Sequence, residues 1–265
     1  MQSDADEMGA MQDARDRLAA YAIDRRSLLK KGGLLAAGAT AVSWKLFDVV
    51  KVQAAGPGDS AQDILNLAVT AERLAVTFYS HGVINRERLE LEGEDLDYIK
   101  AALIEEQIHE QFFVGAGGKT LNPGNTYSFP QGQRTFEHLE TFIDTQQQLE
   151  GVFDAAFISA CRRFAQLDSS GKLSQIACQI AMIESEHRAL GRAILKRRPA
   201  DNWVYGDSQG LTDPFVQTAV ATVAKAGYLS PTAGNSFTYE PVFPVGTALK
   251  NELASVNERI VSRTP

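Results

Sequence analysis

Between Ser60 and Pro199 the apolar residues recur at helical spacing in four segments. In the first, 60–82, Ile64, Leu65, Leu67, Ala68, Ala71, Leu74, Ala75 and Phe78 fall on one broad face. Asp59 or Ser60 stands where a helix cap is expected. The second segment, 95–113, runs into Gly115-Ala116-Gly117-Gly118, a strong stop signal. The third spans 133–167 and reverses at Asp168-Ser169-Ser170-Gly171; the fourth spans 172–198 and stops at Pro199. Between the second and third lies a stretch rich in Gly, Pro, Asn and Thr. At roughly 20 residues without evident structure it is unusual inside a compact domain, but a bundle crossover requires such a length. Short turn, long crossover, short turn predicts an all-α antiparallel four-helix bundle with one long crossover between helices two and three.

The two ends of the chain follow other patterns. Residues 200–265 are broken by Pro214, Pro231, Pro241 and Pro244 and predict an irregular extension with short helices near 215–226 and 247–261. No chemistry is evident in that extension. At the other end, Asp24-Arg25-Arg26-Ser27-Leu28-Leu29-Lys30 precedes an uncharged stretch, Gly32 to Trp44. That stretch is too short for a membrane span but suits the apolar region of a signal peptide. Val52-Gln53-Ala54 offers small residues for cleavage after Ala54 or Ala55. The paired arginines with Leu29 and Lys30 resemble a twin-arginine export signal, departing from it at Asp24 and Leu28. The resemblance implies a chain folded before export by the twin-arginine translocase, located in the periplasm or otherwise outside the cytoplasm. The expected organisation is a signal peptide at 1–55, a bundle at 56–199 and an extension at 200–265.

Charge narrows the function classes. Residues 1–54 carry eight Lys/Arg and seven Asp/Glu; removing these from 26 and 33 leaves the remainder at -8. Without a basic stripe, nucleic-acid binding is not expected. An apolar content of 44% is ordinary for a globular chain.

The chemistry lies in two Glu-x-x-His frames, Glu106-Gln107-Ile108-His109 in the second helix and Glu184-Ser185-Glu186-His187 in the fourth. Residues three apart share a helix face, so each frame aims a carboxylate and an imidazole the same way. A shift of 78 positions maps one frame onto the other, and the same shift maps Glu72 in helix one onto Glu150 in helix three. In antiparallel hairpins, residues equidistant from the turn lie level. The midpoint of Glu72 and Glu106 is 89 and that of Glu150 and Glu184 is 167, both near the expected turns. All six side chains are therefore expected at one height of the bundle. Four carboxylates buried together need compensating charge, and two divalent cations would supply it.

This pattern resembles the ferritin-like superfamily of di-iron and di-manganese carboxylate proteins over about 60–198. The resemblance implies that Glu72 and Glu150 are single-helix ligands, that Glu106 and Glu184 include bridging carboxylates, and that His109 and His187 each bind one ion. It implies two iron ions, with manganese as the alternative, and an oxidant partner, dioxygen or hydrogen peroxide. The export signal and tail narrow the likeness to an exported bacterial group related to desiccation-associated proteins. The activity expected is ferroxidase- or peroxidase-like protection against stress. Metal binding without turnover, or a stress protein whose partner contacts lie in the extension, is the alternative. A homo-oligomer is compatible with either.

Other residues carry weaker signals. Tyr79, seven positions after Glu72, offers a hydrogen bond to a ligand or a path for an electron, but its equivalent is Phe157, which favours plain core packing. Asp154 suits either orienting a histidine or a solvated or helix-pairing role. His81 and His138 lack the frame and read as non-ligands. Cys161 and Cys178 fall level on adjacent helices. With helix axes about 8–10 Å apart the expectation leans to two buried thiols, a disulfide remaining open.

Overall fold

A computed structural model of the chain describes residues 58–200 and 214–242. The signal segment and the expected helix at 247–261 lie outside the described residues. Four helices dominate: α1 (Ala61–Ile84), α2 (Gly93–Gly115), α3 (Leu139–Leu167) and α4 (Lys172–Ile194). They form an all-α bundle in which α1 packs on α2, α3 packs on α4, and the two hairpins close on each other. Among the described residues no helix is long and apolar enough to cross a membrane.

Local chemistry explains the boundaries. Ser60 opens α1 with a capping box: its hydroxyl accepts from the Asp63 amide, while the Asp63 carboxylate accepts from the Ser60 amide at 3.1 Å. Asp168 organises the α3–α4 turn, accepting from the amides of Ser170 at 2.9 Å and Leu173 at 3.0 Å. Gly171 completes that turn at a φ of 71°, where a side chain would be strained.

Two ends differ from the sequence reading by four residues or more. Helix α3 begins at Leu139 rather than 133, because Gly132–Phe136 forms a tighter 3-10 turn and His138 is extended. That turn carries Phe136 into an aromatic cluster with Phe78, Phe129 and Phe237. Helix α4 ends at Ile194, four residues early, because Lys196 adopts a φ of 56° and its neighbour's amide turns back to the Arg192 carbonyl.

The crossover and the extension order each other. Strand β1 (Thr126–Tyr127) lies in the crossover and pairs antiparallel with β2 (Phe237–Thr238) from the extension. Asn235 clamps the Phe129 backbone through both its amide groups, each at 2.9 Å. Helix α5 (Val216–Lys225) fills the expected 215–226 helix. Its first amides, Phe215 and Val216, are capped by Asp59, the residue just before the Ser60 cap. The aromatic cluster these segments cover is tight. Phe78 stacks on Phe142 at 4.5 Å, and a Cβ on Gly82 would meet the Phe142 ring at 2.5 Å.

Cys161 and Cys178 are joined by a disulfide across α3 and α4, with Cα atoms 5.5 Å apart. This corrects the expectation of two buried thiols. Because Cα atoms stand about 2.3 Å off a helix axis, facing positions on helices packed at the usual spacing of about 8–10 Å come within bridging range, and the residues are half-buried and exposed rather than in the core.

Candidate metal centre

Each of the four bundle helices delivers part of one polar cluster into the core of the bundle. Helix α1 supplies Glu72, α2 supplies Glu106 and His109, α3 supplies Glu150, and α4 supplies Glu184 and His187. The four carboxylates are 0% exposed, His187 is 1% and His109 is 8%.

The imidazoles sort the carboxylates into two sets. His109 Nδ1 lies 3.6 Å from Glu72, 3.7 Å from Glu106 Oε2 and 3.8 Å from Glu184 Oε1. His187 Nδ1 lies 3.0 Å from Glu106 Oε1, 3.5 Å from Glu150 and 3.4 Å from Glu184 Oε2. Glu106 and Glu184 thus present one oxygen to each histidine, while Glu72 and Glu150 serve one each. Within each set of four, donor atoms lie within 4.8 Å of one another, close enough to share an ion.

Nine atoms of these six side chains are buried without a hydrogen-bond partner among the described residues: both oxygens of Glu72, Glu106 and Glu184, Glu150 Oε2, and Nδ1 of both histidines. Buried polar atoms are ordinarily satisfied, and leaving one unpaired costs about 1–3 kcal/mol. A set of oxygens and imidazole nitrogens converging in this way suits divalent cations of the iron and manganese type.

The electrostatics agree. Burial, reinforced by the Glu106 charge, pushes the carboxyls of Glu72 and Glu184 well above the usual carboxylate range. Burial also opposes ionisation of Glu106, but contacts with His109 and His187 outweigh it and hold Glu106 low. Both histidines move up. Burial works against their charge, and the Glu106 contact overcomes it at His109. At His187 the Tyr79 oxygen, Glu105 and Glu106 together do so. The metal-free cluster therefore offsets its negative charge with retained protons.

The residues behind the cluster hold it in place. The Tyr79 hydroxyl donates to Glu150 and accepts from Gln146 Nε2 at 3.1 Å. Tyr79 is thus bonded to a cluster carboxylate, where its equivalence with Phe157 favoured packing alone. Gln146 also donates to the His187 carbonyl at 2.9 Å. Asp154 touches no histidine in its hydrogen bonds; it accepts from Ser185 at 2.9 Å and Arg188 at 3.1 Å, pairing α3 with α4. Burial pushes its carboxyl up to about 6. His81 packs against Phe136 and Phe237, and His138 stands just before α3 with no capping bond from its side chain; neither is in the cluster.

Sequence reasoning missed Glu105 and Gln146. Glu105 meets His187 Nε2 at 2.8 Å, from a partly exposed position on α2. Adjacent to a frame glutamate but turned from its face, it reads in sequence as solvated, and no repeat marks it.

A family model for the ferritin-like domain matches residues 60–197, more than half of the chain. The chain belongs to the ferritin-like family. No curated protein matches it. The matched span runs from the Ser60 cap to just past the end of α4, so the ferritin-like domain contains all six cluster residues, and β2 and α5 lie beyond it.

Proposed function

We propose that this ferritin-like protein is an exported oxidoreductase whose six cluster residues hold two iron ions, or two manganese ions as the alternative. Its oxidant is dioxygen or hydrogen peroxide, and its role is protection against oxidative stress outside the cytoplasm. The observation that carries the reading is the convergence of nine unpaired buried donor atoms in two sets sharing Glu106 and Glu184. Bound there, the ions would supply the electrons and open coordination positions for the oxidant.

The chain's own residues do the rest. Glu106 and Glu184 span both positions, while Glu72 with His109 and Glu150 with His187 complete one each. Nδ1 of each histidine must lose its proton to bind an ion. For His187, the proton then resides on Nε2, donated to Glu105. Tyr79 orients Glu150, and its phenol, bonded to that carboxylate, is placed to pass a proton or electron. The burial of the cluster, whose four carboxylates are 0% exposed, limits the entry of water. Export is supported by the arginine pair and by the Cys161–Cys178 disulfide, a bond that persists in oxidising compartments.

The test is elemental analysis of the protein purified after native export, beside the Glu106→Ala/Glu184→Ala double variant. About two iron or manganese ions per chain, lost in the variant, are expected. Mixing Fe(II) and oxidant with protein should then give oxidation that Glu106→Ala slows. Metal retained without any such difference points to sequestration, and little metal in both proteins overturns the reading.

A further inference from the structure

The repeat that built the cluster makes its two halves comparable position by position, and the comparison is uneven. His187 leans its outer nitrogen on Glu105 at 2.8 Å. Shifted by the same 78 positions, the residue that would serve His109 is Ile183, which has no acceptor. Glu150 receives the Tyr79 hydroxyl. The equivalent of Tyr79, which would serve Glu72, is Phe157, which has no hydroxyl to donate. Both supports thus fall on one side, and both apolar replacements on the other. Exposure follows the same division, 1% for His187 against 8% for His109.

A carboxylate behind a ligating imidazole fixes the ring, sets the tautomer that leaves the inner nitrogen free, and raises its donor strength. Removing such a partner typically costs about 10–100-fold in metal affinity. A hydroxyl bonded to Glu150 restricts that carboxylate before any ion arrives, which lowers the ordering cost of binding. From this we infer that the two metal positions are unequal and fill in order. The Glu150/His187 position takes the first divalent ion tightly. The Glu72/His109 position takes the second more weakly and exchanges it faster. Glu105 is the positioning residue that sets the difference. The inference rests on the metal reading above.

The experiment is an anaerobic titration of metal-free, full-length mature protein with Co(II), followed by calorimetry and visible absorption. Two steps of one ion each are expected, separated by about tenfold or more in affinity. Glu105→Gln should weaken the first step by about 10–100-fold and leave the second nearly unchanged. Ile183→Glu, which supplies the missing acceptor beside His109, should tighten the second step alone. His109→Ala should abolish the weak step and keep the tight one. Two equal steps, an unresponsive first step in Glu105→Gln, or loss of the tight step in His109→Ala would overturn the ordering while leaving the metal site standing. Because Glu105 is partly exposed, its variant tests the idea even where a buried substitution fails to fold. A folded wild-type protein that binds no Co(II) would overturn the metal reading and the ordering with it.

Discussion

Replacing Gly191 by alanine tests the packing behind the cluster through the sign of its effect. Gly191 lies inside α4, where alanine is favoured over glycine by about 1 kcal/mol. A Cβ there would stand 1.8 Å from Gln146 Oε1 and 2.7 Å from its Cδ, an overlap no rotamer adjustment of a tenth of an ångström relieves. Gln146 is 1% exposed and would have to leave its bonds to Tyr79 and the His187 carbonyl. Two buried hydrogen bonds lost with partners left behind cost about 1–3 kcal/mol each. After the helix gain is deducted, the net loss should be about 1–5 kcal/mol. At about 2–4 °C per kcal/mol for a chain of this size, the metal-free protein should melt roughly 2–20 °C lower. The assay is a thermal melt followed by far-UV circular dichroism at neutral pH, with metal removed so that ligand binding does not mask the change. The same substitution in a Gln146→Ala background should recover the ordinary stabilising sign. A raised melting temperature in the natural background, or equal shifts in both, would refute the reasoning.

Three further outcomes follow from the same structure. Because Glu72, Glu184, His109 and His187 are all shifted upward, the folded metal-free chain holds protons the unfolded chain has lost; their stabilisation is full below the unfolded values and fades as pH rises. Melting of the metal-free protein should therefore fall from about pH 5 to 8, and Mn(II) binding in weak buffer should release protons; uptake without proton release would contradict the cluster's electrostatics. Tyr79→Phe should lower metal-free stability by about 1–3 kcal/mol by leaving Glu150 without its donor, as measured by urea unfolding; an unchanged midpoint would return Tyr79 to mere packing. Reducing the Cys161–Cys178 bond, whose partners are 17 residues apart, should cost about 2–4 kcal/mol while leaving metal stoichiometry intact; melts with and without reductant, repeated on Cys161→Ser/Cys178→Ser, check this.

The bundle and the cluster were legible for the same reason. Helical periodicity fixes which face a residue takes, and the 78-residue repeat sets Glu72 with Glu106 and Glu150 with Glu184 at equal distances from their turns. What periodicity does not encode is lateral reach. Glu105 faces away from its own frame and still meets His187 on α4. Gln146 is one of three consecutive glutamines, none distinguished by spacing from the others. The pairing of Cys161 with Cys178 turned on an interhelical distance that register alone leaves undetermined. The early stop of α4 came from backbone geometry at Lys196, a residue type that rarely signals a left-handed turn. The extension's role was hidden because its contacts, the strand pair, the Asn235 clamp, the Phe237 ring and the cap supplied by Asp59, join residues far apart in the chain, which no local pattern announces.

That cap has a kinetic consequence. Asp59 meets the Phe215 amide 156 residues later in the chain, and β1 waits for a partner strand beginning at Phe237. At about 5–20 residues per second, roughly 8–30 s of synthesis separate Asp59 from its partner. Contacts so distant in sequence are slow to form and close last. The helices can collapse while the ribosome is still working, but the segment over Phe129 and Phe136 arrives only once Phe237 has been made. A chain released early would keep its ligands and lose its cover.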